Sequence, residues 1–277
     1  MNKTLFLYLD ILGFSELIKT PRKADQLFAT LDSAALHRDS NFRAIAFSDT
    51  LLAYHTHDEL KGSGKAVELM YLIEMVQDIF IRLIGSGIYF RAIITEGAFH
   101  HSQLKHLQAY YGQALIEAYQ KEKSIIGTGL YLDRKLDRFN QVFRSRPYSQ
   151  DYSFVFLTHT ITKLTPRLAD VIEGFEVFAD PDFPIPGEVL TMQDLHYGIY
   201  PEFLHLREVY TLRKSHPSPD IRAKHLATWD MYEQAYPKLI KSLIASECDV
   251  SGIADMDWSV AKNHFEESTV WKAQSGI

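Results

Sequence analysis

Two carboxylates stand where the chain could do chemistry. Asp10 ends the apolar run Leu-Tyr-Leu-Asp10-Ile-Leu-Gly13-Phe-Ser, and Asp49 sits in Ala-Ile-Ala-Phe-Ser-Asp49-Thr-Leu-Leu-Ala-Tyr. Each run reads as a strand, so each acid lies at a strand end. Two such acids on separate strands are how a protein holds a pair of hard cations such as Mg²⁺ beside a nucleotide triphosphate. Read singly, Asp10 also serves as a cap after a strand, and Asp49 as a turn residue. Arg91 interrupts a further apolar run and fits either a functional cation or a structural pair with Glu96 or Glu117. His100, His101 and His106 match no zinc spacing. Glu122 and Lys123 read as a solvated helix face.

Elements must position these groups. Residues 4–11 form a buried strand that Gly13 ends. Thr20-Pro21 starts a helix that runs to about His37. Residues 42–47 and 51–55 are two strands of a hairpin with Asp49 at its tip. Apolar spacing gives the clearest helix over 65–85, and 88–96 is a strand alternating around Arg91. A polar loop over 100–110, a helix over 112–124, a helix over 130–140 and a strand over 153–158 follow. The order β-α-β-β-α-β-α-β predicts an α/β (α+β) fold, a sheet with helices packed on it of the ferredoxin-like or palm type. Residues 1–165 are expected to form the core. Residues 166–277 are expected to be a connecting loop, Pro-, Gly- and Asp-rich over 180–200, and a mainly helical extension packed on the core through Trp258 and Trp271.

Bulk properties narrow the function. The formal net charge of −6 argues against a broad nucleic-acid surface. Cys248 stands alone, so no internal disulfide forms and a reducing compartment fits. No signal peptide is expected, since Asp10 breaks the apolar stretch from Leu5 to Leu12, and no segment is apolar enough to span a membrane. A cytoplasmic location is the expectation.

Four motifs in order, Leu9-Asp10-Ile-Leu-Gly13-Phe-Ser15, Phe47-Ser-Asp49-Thr50, Arg91-Ala-Ile-Ile-Thr-Glu-Gly97 and Gly112-Gln-Ala-Leu-Ile-Glu-Ala-Tyr-Gln-Lys-Glu122, cover residues 4–160. Together they resemble the class III nucleotidyl cyclases, and within them the compact bacterial pyrimidine cyclases of the Pycsar anti-phage systems. The resemblance implies that Asp10 and Asp49, with the Ile11 carbonyl, hold two Mn²⁺ or Mg²⁺ ions. Leu12, Gly13, Phe14, Arg43, Phe47 and Lys123 would bind nucleotide, and Arg91 would join Asp10 and Asp49 in catalysis. No protein base is then required, because the metal lowers the pKa of the nucleotide's own hydroxyl.

Where purine cyclases carry a base-reading Lys this chain has Ile45, and where they carry an Asn and an Arg in the later helix it has Ile116 and Gln120. Purine specificity of the usual kind is therefore not expected. The transition-state cation must come from Arg91, Lys121 or Lys123. Phe42, Phe47, Tyr54 and Phe90 are the bulky side chains available to narrow a pocket for one ring, and a donor such as Arg43 or Arg91 would suit uracil O4. The resemblance implies a homodimer with its active sites at the interface, converting UTP to 3′,5′-cyclic UMP that a separate effector reads as an antiviral signal. The rival readings are a cytidylate cyclase using CTP and a degenerate cyclase-like domain that binds a nucleotide and regulates a partner. No nucleic-acid or membrane partner is expected.

Overall fold

The computed structural model describes residues 3–34, 42–56, 62–165 and 181–268. The chain divides into two compact units, Met1–Leu83 with Ile88–Leu157, and Ile84–Gly87 with Thr158–Ile277.

The first unit is built on β1 (Lys3–Leu12), whose apolar run is buried on both faces, as a central strand requires. Gly13 ends it at φ 73, a left-handed conformation in which glycine alone is unstrained. Two helices follow, α1 (Phe14–Leu17) and α2 (Pro21–Ser33), the second opened by Pro21 in its first turn. Then come β2 (Phe42–Phe47), β3 (Thr50–His55), α3 (Ser63–Leu83) and β4 (Tyr89–Ala98). The strands order β2-β3-β1-β4, each neighbouring pair antiparallel. A β-α-β-β-α-β chain with β1 between β3 and β4 is the ferredoxin-like arrangement, so the mixed α/β fold expected from the sequence is present.

Beyond β4 stand β5 (His100–Gln103), β6 (Gln108–Tyr111), α4 (Gln113–Glu122), β7 (Gly129–Asp133), β8 (Ser145–Pro147) and β9 (Tyr152–Val155). Strand β7 joins β4 in parallel and extends the sheet toward β9 and β8. Helix α4 packs Ala114 and Ala118 on Phe6, Tyr8, Leu52 and Tyr54. Small residues permit that close approach. At its start Gly112 lies so near β4 that a Cβ would collide with the Ala98 carbonyl oxygen. Helix α3 covers the other face, where its Lys65 pairs with Glu96, the register partner of Leu5.

Three expectations for the first unit are corrected. Residues 100–110 are not a loop: they fall in the β5–β6 hairpin, where His100 stacks on Tyr111 and His101 on Tyr110 across the strands. Residues 130–140 are not one helix. Strand β7 is buried beside β4, and a 3-10 helix, Arg134–Phe139, follows. A short apolar run has no period to separate strand from helix, and strand pairing decides it. The helix begun at Thr20-Pro21 ends at Ser33, and residues 35–37 lie outside the described residues.

The second unit is mainly helical: α5 (His159–Leu164), α6 (Gly187–Met192), α7 (Leu195–Ser215), α8 (Pro219–Ala235), α9 (Pro237–Ala245) and α10 (Ser259–Ser268), with a short parallel bridge of β10 (Ile185–Pro186) and β11 (Ala254–Asp255). The described part of 180–200 is thus not simply a linker, since α6 and the start of α7 lie in it. Buried Glu202 of α7 accepts from the Thr160 and Ile161 amides at 2.8 and 2.7 Å, capping α5 from a neighbouring helix. Trp258 is buried and donates to the Ala254 carbonyl, whereas Trp271 lies outside the described residues. No helix of the described residues is long and apolar enough to cross a membrane.

Candidate active site

Strand pairing decides where Asp10 points. It lies opposite Thr50 of β3 and Arg91 of β4. Directly opposed residues share a face, and alternate residues along a strand do too. One face of the sheet therefore carries Phe6, Tyr8 and Asp10, beside Thr50, Leu52 and Tyr54 on β3 and Arg91, Ile93 and Thr95 on β4. That is the face α4 packs on.

Asp49 comes to the same end of the sheet. Ser48 and Asp49 are the two residues between the closing pair Phe47–Thr50, with Ser48 at φ 53. The Ile11 amide donates to the Asp49 carbonyl at 2.7 Å, one residue past the Asp10–Thr50 pair. The turn is thereby tied to the strand that carries the other aspartate. Tyr8 reports the outcome. Burial raises its hydroxyl pKa, and the charges of Asp10, Glu122 and Asp49 raise it further, against a hydrogen bond with Thr50 that lowers it. Three carboxylates act on one hydroxyl.

The turn after β1 closes the site on one side. The Glu16 and Leu17 amides return to the Gly13 carbonyl at 3.0 and 3.2 Å, and nothing lies within 4 Å of where a Gly13 Cβ would stand. Glycine is needed there for its φ and not for close packing. Leu12 is half-buried, and the Phe14 ring packs edge-on against Phe28 at 6.2 Å, which fastens this turn to α2.

Arg91 is buried, and its hydrogen bonds run to the segment between α4 and β7. Nε donates to the Gly127 carbonyl at 3.2 Å and Nη2 to the Ile126 carbonyl at 3.5 Å. Nη1 donates to the Glu122 carbonyl at 3.1 Å and to its carboxylate, with which it forms an ion pair. The partner is Glu122, not Glu96 or Glu117. Glu122 is buried, contrary to the solvated face expected for it. The signal was present in the sequence: Ala114, Ala118 and Glu122 form one stripe at four-residue spacing, and the two alanines face the sheet. Tyr8 and Thr50 were also missed, since each reads as ordinary strand filling.

The remaining residues divide. Phe47 flanks the Asp49 turn and is exposed. Lys123 ends α4 within the region Arg91 holds, its amine 4.3 Å from the Tyr119 ring centroid. Lys121 lies instead over the Tyr152 ring at 5.4 Å. Arg43 is not gathered with the aspartates. It faces Tyr54, four residues along β2 from Phe47, or about 13 Å at the strand rise. There the Tyr54 hydroxyl meets His101 Nδ1 at 3.1 Å. Phe42 and Phe90 fall on the opposite face, Phe90 as the register partner of Ile11 and Phe42 against His55.

Among the described residues no group of three or more His, Cys, Asp or Glu is arranged to hold a metal. The donors gathered here are two carboxylates and the main chain of β1. That set suits Mg²⁺ or Mn²⁺, hard ions that take one or two carboxylates from protein and complete their shell with phosphate oxygens and water.

No protein-family model matches the chain, and no curated protein matches it. Several solved structures are similar to it. The adenylyl cyclase CyaB from P. aeruginosa is 12% identical with a TM-score of 0.43, over 56% of this chain and 94% of that one. The guanylate cyclase domain of RhGC from Catenaria anguillulae, solved with GTP, is 10% identical with a TM-score of 0.40, over 56% and 96%. The guanylyl cyclase Cya2 is 12% identical with a TM-score of 0.39, over 64% and 98%. Strand register and residue chemistry define the site, independently of likenesses of this strength.

Proposed function

We propose that the protein is a nucleotidyl cyclase that converts UTP to 3′,5′-cyclic UMP and pyrophosphate. The observation that carries this reading is the joining of Asp10 and Asp49 at one end of the sheet by the β1–β3 register and the Ile11–Asp49 bond. The four motifs that resemble class III cyclases meet at that end or lead into it. A domain that only bound a nucleotide would have no use for two converging carboxylates, which weighs against the regulatory reading.

In the reaction the ribose 3′-oxygen bonds to the α-phosphorus, the bond to the bridging oxygen of pyrophosphate breaks, and the hydroxyl proton leaves to water. Asp10, Asp49 and the Ile11 carbonyl would hold two divalent ions, Mn²⁺ or Mg²⁺, which supply charge neutralisation on the phosphates and a lowered pKa for the 3′-hydroxyl. The Leu12–Gly13–Phe14 turn offers main-chain amides to the phosphates. Two lysines at the α4 end have their amines outside the buried pair, Lys121 over Tyr152 and Lys123 over Tyr119, and we assign the phosphate charge to Lys123. Phe47, beside the Asp49 turn, is the aromatic surface for the base.

The pyrimidine assignment rests on Ile45, Ile116 and Gln120 in the places where purine cyclases carry their base- and transition-state-reading residues. Arg43 and Arg91, the donors considered for uracil O4, stand away from the turn or are engaged elsewhere, so CTP is the second substrate to assay. A homodimer with composite sites fits the exposure of Phe47, Ile116 and Tyr119, large apolar side chains at 52, 57 and 50%. The antiviral role, with the cyclic nucleotide read by a separate effector, follows the Pycsar resemblance. The test is to incubate the chain with each of the four nucleoside triphosphates and Mn²⁺, then separate the products by liquid chromatography. Cyclic UMP with equimolar pyrophosphate is expected, and no cyclic product from any triphosphate overturns the reading.

A further inference from the structure

The register of β1 and β4 sets Arg91 directly across from Asp10. Opposed residues in an antiparallel pair hold their Cβ atoms about 5 Å apart, close enough for a guanidinium to reach a carboxylate. A cation bonded to Asp10 would compete with any divalent ion there. Yet the hydrogen bonds of Arg91 run to Glu122, Ile126 and Gly127, all on the α4–β7 segment. Glu122 meets the guanidinium twice, through its carbonyl and its carboxylate. A buried carboxylate on a helix stripe otherwise occupied by alanine is costly to keep, unless its charge is answered.

We propose that Glu122 is a positioning residue that holds the Arg91 guanidinium away from Asp10 and so keeps the aspartate pair able to bind divalent cations. This rests on the reading of Asp10 and Asp49 as the cation site. Glu122 and Arg91 answer one another's charge within this cluster. The same pair fixes the α4–β7 segment to β4. Losing the Glu122 carboxylate while keeping Arg91 leaves a buried cation held by main-chain carbonyls alone, its charge unanswered and within reach of Asp10, whereas losing both side chains leaves none.

That asymmetry supplies the experiment. Mn²⁺ binding to the full chain is measured from the free-ion signal in electron paramagnetic resonance, with circular dichroism as the fold control. Glu122→Gln keeps the side-chain shape and removes its charge; Glu122→Ala removes both. Each is expected to weaken Mn²⁺ binding about tenfold or more, in the range of outer-shell substitutions at metal sites. The double variant R91M/E122L replaces the buried pair with apolar side chains, an exchange that buried ion pairs commonly tolerate. It is expected to return Mn²⁺ affinity to within about threefold of the wild type, a recovery that a purely structural role for Glu122 would not produce. Wild-type affinity in both folded single variants overturns the inference, as does a folded double variant no better than the singles. A wild-type chain that binds no Mn²⁺ overturns the cation site itself, an outcome distinct from either.

Discussion

The Ile11 amide donates to the Asp49 carbonyl at 2.7 Å, so the turn that carries the second aspartate is held by the strand that carries the first. This bond lies one step past the Asp10–Thr50 pair and continues the β1–β3 ladder into the turn. The separation of the two carboxylates is therefore set by main-chain geometry, and a side-chain substitution at either position should leave it intact.

Asp10→Asn and Asp49→Asn should each remove cyclic-nucleotide formation without unfolding the chain, because each replaces a charged hard ligand with a neutral amide of the same shape. Product formation should fall at least about a hundredfold, and Mn²⁺ binding should weaken in parallel. Chromatography of the products and a circular dichroism spectrum check both halves. A variant that keeps a tenth of wild-type turnover at saturating Mn²⁺ would falsify the two-cation assignment.

Arg91→Ala should be among the more destabilising single substitutions in the first unit. It leaves Glu122 buried without its cation and deprives the Gly127 and Ile126 carbonyls of a donor. Breaking one side of a buried ion pair costs about 3–5 kcal/mol. Urea denaturation should show that loss, and Arg91→Lys should recover only part of it, since one ammonium cannot span the fan of acceptors. A loss under about 1 kcal/mol would mean that the pair is not carrying the α4–β7 segment.

The elements legible in the sequence are those whose local signals agree. The β1 run, the β2–β3 hairpin with Asp49 at its tip and the long period of α3 could be read because propensity, pattern and turn chemistry point the same way. The β5–β6 hairpin was hidden because its strands are polar, and their pairing lies in His–Tyr stacks that appear only across the strands. Strand β7 is too short to show a period. Glu122 was misread because acids are rarely buried, although its place on the Ala114–Ala118 stripe was visible. Phe42 and Phe90 share with Phe47 a place on the strands that flank Asp49 and Arg91, but alternation along those strands sends them to the other face.

Assembly is checked through the exposed apolar side chains around the site. The proposed dimer should cover Phe47, Ile116 and Tyr119, each an exposed large apolar side chain in the single chain. Light scattering at assay concentration should give twice the chain mass. Phe47→Glu should shift it toward the single-chain value and lower turnover, since an unpaired charge in an apolar interface opposes association. An active chain of single mass would exclude composite sites.

The second unit should lose stability as the pH falls below neutrality. Burial holds the His205 imidazole down to about 3, helped by the neighbouring His225. Burial likewise lowers His225 to about 4, with His216 and Lys224 adding to the effect. The unfolded chain takes these protons near the ordinary value of 6.5 and the fold refuses them, so stability is lost as pH falls from there. Glu202 acts in the opposite direction. Burial raises its carboxyl to about 7, against the amide bonds from Thr160 and Ile161, so the fold holds a proton that the unfolded chain has released. Between pH 6.5 and 5 each histidine costs about 2 kcal/mol and Glu202 returns about 2, leaving a net loss of about 2 kcal/mol. The tryptophans, Trp229, Trp258 and Trp271, all lie late in the chain, so their fluorescence during urea denaturation follows this part of the protein. Replacing both His205 and His225 with Gln should reverse the slope between pH 6.5 and 5, where Glu202 then dominates and acidification adds stability. A double variant that still loses stability between pH 6.5 and 5 would place the sensitivity outside these histidines.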